Sequence, residues 1–288
     1  MNDIDEAPDL GFEPRVYDFP DGSLHALARE GRGPTIVLLH GAASNALGFL
    51  PVLEAFDDRR LVCLDLPGHG ASPPAQDWSL AALAARIEQS IAAVEGEGLV
   101  WGGHSWGGKL AAVIAGTRPE AVRGLMLVDP SPASPIPISA EAFLARALQP
   151  EIGPWASMDD AIATVRQLPQ YAHWRPAIER CFRRGVRQRS DGSVAGRARL
   201  EWLLAISKAT LLHDESPLVA RITCPSLLIF AEQSVAWQQA TNGVAFAPVP
   251  RVEQVTLPGQ HWLMFEPPER LARVIETWLD ETIGDRGD

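Results

Sequence analysis

Gly103-His104-Ser105-Trp106-Gly107 sets a serine between two glycines, each two residues away. The apolar run Leu99-Val100-Trp101 leads into it, and the small-residue stretch Lys109 to Ala115 leads out. A serine on a sharp strand-to-helix turn has its hydroxyl pushed above the edge of a sheet, and the turn leaves no room for side chains at the glycines. The helix that follows offers positive potential to a developing oxyanion. A serine hydroxyl is too weak an acid to attack unaided at neutral pH, so the chemistry requires a general base. His261, in Gln260-His261-Trp262 near the end of the chain, is the candidate. An order of serine, acid, histidine suits such a site. His40-Gly41-Ala42 ends an earlier apolar run, where Ala42 is expected to give one backbone N–H to an oxyanion and Trp106 the second. Of the other histidines, His40 and His104 are expected at the pocket and His69 as a structural residue in the same group of loops.

Elements must hold these residues together. Residues 14–28 read as a hairpin with Asp21-Gly22 at its turn. Thr35 to Leu39, Leu61 to Leu64, Leu99 to Gly103, Leu125 to Val128 and Ser226 to Phe230 read as strands, several continuously apolar as in a sheet buried on both faces. Val252 to Leu257 is the last strand. Leu80 to Val94, Lys109 to Ala115 and Pro267 to Ile283 carry helical spacing. The alternation predicts an α/β fold with a mostly parallel central sheet and helices on both faces. The pattern breaks after Asp129, where residues 130–139 hold four Pro and three Ser. From there to about residue 215 the segments read as helical. We therefore expect a core of residues 1–132 and 217–288, interrupted by a helical cap over 133–216. A cap leaving from a strand's carboxyl end would roof a site at that edge of the sheet.

The chain has 288 residues and a net charge of −11, which argues against general nucleic-acid binding. Residues 175–199 depart from this balance, with eight Arg against two acids. Such a run reads either as solvated helix faces or as a cationic cap that attracts an anionic substrate. Cys63, Cys181 and Cys224 are odd in number and lack metal spacing, so buried thiols are expected. The start, Met1-Asn2-Asp3-Ile4-Asp5-Glu6, has no basic and apolar leader, and no apolar run reaches membrane-spanning length. A cytoplasmic, soluble protein with a small-molecule substrate is expected. No phosphate loop or metal cluster is found, and no cofactor is expected.

Together, the His40-Gly41 loop, the serine turn, Pro258-Gly259-Gln260-His261 and Asp65-Leu66-Pro67-Gly68-His69-Gly70-Ala71-Ser72 resemble the α/β-hydrolase family. The resemblance covers nearly the whole core. It implies a Ser105 nucleophile, a His261 base and a structural role for the Asp65 loop. The chain departs from the commonest pattern at the acid. Relatives usually carry an Asp just after the strand at Leu227 to Phe230, in a segment that here reads Ala231-Glu232-Gln233-Ser234. Asp129, at the end of the preceding strand, is the favoured acid, and some relatives, the haloalkane dehalogenases among them, place theirs there. Glu232 is the alternative. The acid orients and charge-stabilises the imidazole, a task that does not fix its place in the chain. A serine at the elbow, where dehalogenases and epoxide hydrolases carry a carboxylate, implies an acyl-enzyme.

The expected reaction is hydrolysis of a small ester, lactone or amide. Arg146, Arg166, Arg175 and Arg180 could hold a substrate carboxylate, and Tyr171 and Trp262 could line the pocket with Trp155, Trp174, Trp202, Phe143 or Leu144. A serine with its acid at Asp129 is similar to amide hydrolases acting on acetamidomethylene-succinate. Other readings on the same scaffold are a C–C bond hydrolase, a cofactor-free oxygenase or perhydrolase, and a small-molecule receptor.

Overall fold

The computed structural model describes residues 10–19, 22–56, 58–136, 138–145, 152–234 and 236–284. Eight strands form one sheet: β1 (Glu13–Phe19), β2 (Gly22–Arg29), β3 (Arg32–Leu39), β4 (Arg59–Leu64), β5 (Leu99–His104), β6 (Val122–Val128), β9 (Ser226–Ala231) and β10 (Val252–Leu257). Their order is β1-β2-β4-β3-β5-β6-β9-β10. The β1–β2 hairpin and the β2–β4 pair are antiparallel, and the remaining pairs run parallel. The inner parallel strands are buried on both faces, while β10 at the edge is half-buried to exposed, and alternate residues go to opposite layers. In β3, Val37 and Leu39 join one apolar cluster while Ile36 and Leu38 join the other.

Helices α2 (Leu80–Glu95) and α3 (Trp106–Thr117) cover the first face. The short α1 (Leu50–Leu53) and α10 (Pro268–Trp278) cover the second, and α10 runs on through a π-helical turn at Leu279–Ile283. Ser79 caps α2, its hydroxyl accepting the Ala82 N–H. Cys63, Cys181 and Cys224 are buried, and burial pushes the Cys63 thiol up to about 12 and Cys224 to about 11. Among the described residues no helix is long and apolar enough to cross a membrane.

Between β6 and β9 the chain runs through α4 (Ala140–Phe143), α5 (Met158–Val165), α6 (Pro176–Gly185), α7 (Leu200–Leu212) and α8 (Ser216–Val219). It is not purely helical. β7 (Val186–Gln188) and β8 (Val194–Gly196) form an antiparallel hairpin that the sequence reading misses. Its signal was Asp191-Gly192: Gly192 adopts φ +86°, and Asp191 Oδ1 accepts from the Ser193 hydroxyl at 2.6 Å. Trp155 adds to this sheet through a reciprocal backbone pair with Val194. After β9, α9 (Ala236–Phe246) is also absent from the sequence reading, because its Ala, Gln and Asn residues show no clear apolar stripe.

Two buried ion pairs bind this inserted stretch to the sheet domain. Arg184 Nη2 lies 2.6 Å from Asp65 Oδ2, and Lys109 Nζ lies 2.7 Å from Glu215 Oε2. Asp65 also accepts the Ala46 and Ala71 N–H groups, in keeping with a structural loop at 65–72.

Candidate active site

The serine turn joins β5 to α3. Ser105 adopts φ +52°, a left-handed conformation that costs a non-glycine residue about 1–3 kcal/mol. It persists because its surroundings over-determine it. The Ser105 N–H donates to the Val128 carbonyl at 3.2 Å, and the Ser131 N–H donates to the Ser105 carbonyl at 3.0 Å. A Cβ on Gly107 would stand 2.2 Å from the Leu39 oxygen, and one on Gly103 would stand 2.4 Å from the Gly107 backbone. Neither position tolerates a side chain.

Asp129 stands just past β6, fully buried and also at positive φ, +43°. Its N–H donates to the Ile229 carbonyl at 2.7 Å, and its Oδ1 accepts the Ala231 N–H at 3.1 Å. Its Oδ2 meets His261 Nδ1 at 2.5 Å and accepts the Ser234 hydroxyl. A carboxylate only accepts, so a proton at Nδ1 leaves the other ring nitrogen of His261 free to accept one. Glu232 is exposed, and its own N–H donates to the Leu257 carbonyl at 2.8 Å. Of the two candidate acids, Asp129 is the one in contact with His261.

Ser105 and His261 line one cavity of about 210 Å³, together with Ala42, His104, Trp106 and Trp262. Phe143 of α4 and Ile206, Ser207, Thr210 and Leu211 of α7 form the opposite wall. Those α7 positions, i, i+1, i+4 and i+5, share one helix face.

A sequence model described as the alpha/beta hydrolase family matches residues 36–274. The chain belongs to the alpha/beta hydrolase family. It is similar to the sn-1-specific diacylglycerol lipase of Xenopus laevis, 34% identical over 124 residues, which are 42% of this chain and 38% of that protein. It is also similar to the pimeloyl-acyl-carrier-protein methyl ester esterase of Methylococcus capsulatus, 37% identical over 105 residues, 35% of this chain and 39% of that one. The matches thus span well under half of either relative's length. Among solved structures, E-2-(acetamidomethylene)succinate hydrolase superposes with a TM-score of 0.77 at 23% identity, covering 93% of this chain and 99% of that one. At that identity the likeness speaks for the fold.

Other expected pocket residues of this alpha/beta hydrolase lie elsewhere. His40 is buried behind the cavity wall, where its Nδ1 donates to the Gly41 carbonyl at 2.7 Å and its Nε2 accepts the Leu66 N–H at 3.0 Å. Burial lowers its pKa to about 3. Arg166 is exposed, its guanidinium 5.7 Å from the Trp174 ring centre. Arg180 is exposed and pairs with Glu54 at 3.1 Å, and Arg175 donates to the Glu266 carbonyl at 3.2 Å. A guanidinium stays in water unless a buried partner compensates its desolvation. Tyr171 packs against Trp174 and Phe265 and lines a separate void of about 20 Å³, with Trp262 as the shared wall. Arg146 lies outside the described residues. Trp155 meets Phe182 edge to face, Trp202 stacks on Trp78, and Leu144 is buried in the core.

The sequence reading missed Ser131, whose hydroxyl is 3.4 Å from that of Ser105, and the α7 face. It names Ser234 in the segment after the strand at Leu227 to Phe230 without foreseeing its bond to Asp129. Among the described lining residues there is no Lys or Arg.

Proposed function

We propose that this hydrolase cleaves small, uncharged carboxylic esters through an acyl-enzyme, with Ser105 as nucleophile, His261 as base and Asp129 as its acid. The observation that carries the reading is the Asp129–His261 pair opening onto the same cavity as a serine on a strained elbow. Ser105 Oγ attacks the ester carbonyl as the unprotonated nitrogen of His261 takes its proton. The oxyanion accepts from the N–H groups of Ala42 and Trp106. The neighbouring Ala43 N–H is already committed to His69 Nε2 at 3.1 Å, which leaves Ala42 as the donor from that loop. The Trp106 N–H stands in the first turn of α3, where intrahelical partners are lacking. His261 returns the proton to the departing alcohol, then activates a water that releases the acid and restores Ser105. Two backbone donors of this kind contribute several kcal/mol to the barrier change, about 3 per donor.

The ester preference is supported by the lipase and esterase names of the relatives. The uncharged acyl group is supported by the wall of Pro132, Phe143, Ile206 and Leu211 and by the outward course of Arg166 and Arg180. Residues 133–216 act as the cap whose α7 face selects the acyl group.

The test is a series of chromogenic esters of increasing acyl length. Wild type should show a burst of alcohol, with the acyl-enzyme mass on quenching. The Ser105→Ala protein should show neither. Turnover persisting in Ser105→Ala would overturn the reading.

A further inference from the structure

His104 ends β5 and is peptide-bonded to Ser105. Its Nε2 lies 2.9 Å from the carbonyl oxygen of His261. A carbonyl oxygen only accepts, so Nε2 carries the proton and Nδ1 is bare. The ring is fully buried. Burial, with His261 beside it, holds its pKa well below the usual histidine value, so it stays neutral in one tautomer. Its bare Nδ1 has no hydrogen-bond partner among the described residues and faces Gly41, where a Cβ would stand 2.7 Å away. Only glycine fits there. The ring centre is 4.6 Å from that of His261 and 4.9 Å from that of Trp262. One side chain, covalently next to the nucleophile, therefore touches the backbone and ring of the base and the loop that carries Ala42.

We propose that His104 is a positioning residue whose Nε2–H holds the His261 backbone, and with it the imidazole, in register with the Ser105 hydroxyl. The proposal rests on the reading of Ser105 and His261 given above. Asp129 grips the imidazole at Nδ1, and His104 grips the main chain from which that imidazole hangs. With one anchor the ring keeps freedom to swing across the cavity mouth, where the His261 side chain is 37% exposed. The second anchor removes that freedom. A displacement of about 1 Å in such a pair costs on the order of a hundredfold in rate.

A ring that merely filled space would behave differently from a donor, and two substitutions separate them. His104→Phe keeps the ring and loses the N–H; His104→Gln loses the ring and keeps an N–H at similar reach. His104→Phe should lower kcat by about 10- to 100-fold with KM within about twofold. His104→Gln should recover most of that loss. Wild-type kcat in His104→Phe, or an equal fall in both variants, would overturn the proposal. A readout independent of turnover is the long-range proton–nitrogen spectrum of histidine-labelled wild type. It should show His104 as the Nε2–H tautomer without titration between about pH 5.5 and 8.5; an Nδ1–H tautomer, or a ring that titrates, would overturn it. Failure of the underlying reading has its own signature: Ser105→Ala would turn over at the wild-type rate, and the proposal would fall with it.

Discussion

The serine elbow and the stretch between β6 and β9 are built on opposite plans. At the elbow Ser105 and Asp129 sit at positive φ, and backbone stands so close to Gly103 and Gly107 that added side-chain atoms have no space. In the inserted stretch several arginines point into water and pair with surface carboxylates, and the cavity wall is one apolar-to-mixed face of α7. Strain and close packing accumulate where geometry must hold to fractions of an ångström. On the proposed reading, the wall that meets the acyl group needs only shape. The two regions are joined at Arg184–Asp65 and Lys109–Glu215, so the stretch between β6 and β9 is tied to the 65–72 loop and to α3.

The largest expected effect falls on the rigid region. Asp129→Asn should lower kcat by about 10⁴-fold, through the wrong imidazole tautomer, while Glu232→Gln should stay within about twofold. Steady-state rates on one ester decide it; the reverse order would assign the acid to Glu232. Next comes the joint between the regions. Arg184→Met leaves Asp65 buried without its cation and should cost about 3–5 kcal/mol in urea unfolding. A loss below about 1 kcal/mol would mean that the pair does not anchor the cap.

Acid should also find the elbow side first. Burial lowers the pKa of His40 to about 3 and of His69 to about 4, and holds His104 well below its usual value. The unfolded chain takes up these protons near the ordinary histidine pKa and the folded one does not. Stability is therefore full above about pH 6.5 and falls as pH drops below it, by about 1 kcal/mol per histidine between pH 7 and 5.5. Urea midpoints at the two pH values measure it, and equal midpoints would contradict it.

On the cap side, Leu211→Ala enlarges the cavity wall and should raise kcat/KM for longer acyl chains relative to short ones by about tenfold. An unchanged profile would remove α7 from acyl selection. Smallest of all, Arg166→Ala and Arg180→Ala should leave ester hydrolysis within about twofold, since exposed pairs contribute about 0–1 kcal/mol.

The same contrast explains what the sequence disclosed. The elbow was legible because a Cβ on its glycines would stand as close as 2.2 Å to backbone atoms, which leaves few residue choices. Asp129 stands out in the sequence as a lone acid ending a buried strand and His261 as a histidine after the last strand, and the structure brings the two into contact. The core strands were legible as apolar runs. The stretch between β6 and β9 was not, because its described arginines are mostly solvated and a guanidinium in water leaves the same mark in sequence as one aimed at a ligand. Tyr171 and Arg166 were expected at the cavity and are held elsewhere by Trp174 and Phe265. Ser234 shows the limit of reading one position alone: its hydroxyl donates to Asp129, a pairing visible only once β6 and β9 lie side by side.

The central claim, an activated serine at the elbow, is tested most directly by a fluorophosphonate followed by intact mass and peptide mapping. The account predicts one adduct, mapped to Ser105 and lost in Ser105→Ala, with strongly slowed labelling in Asp129→Asn. A folded wild-type protein that takes no label, or one labelled at another serine, would contradict it.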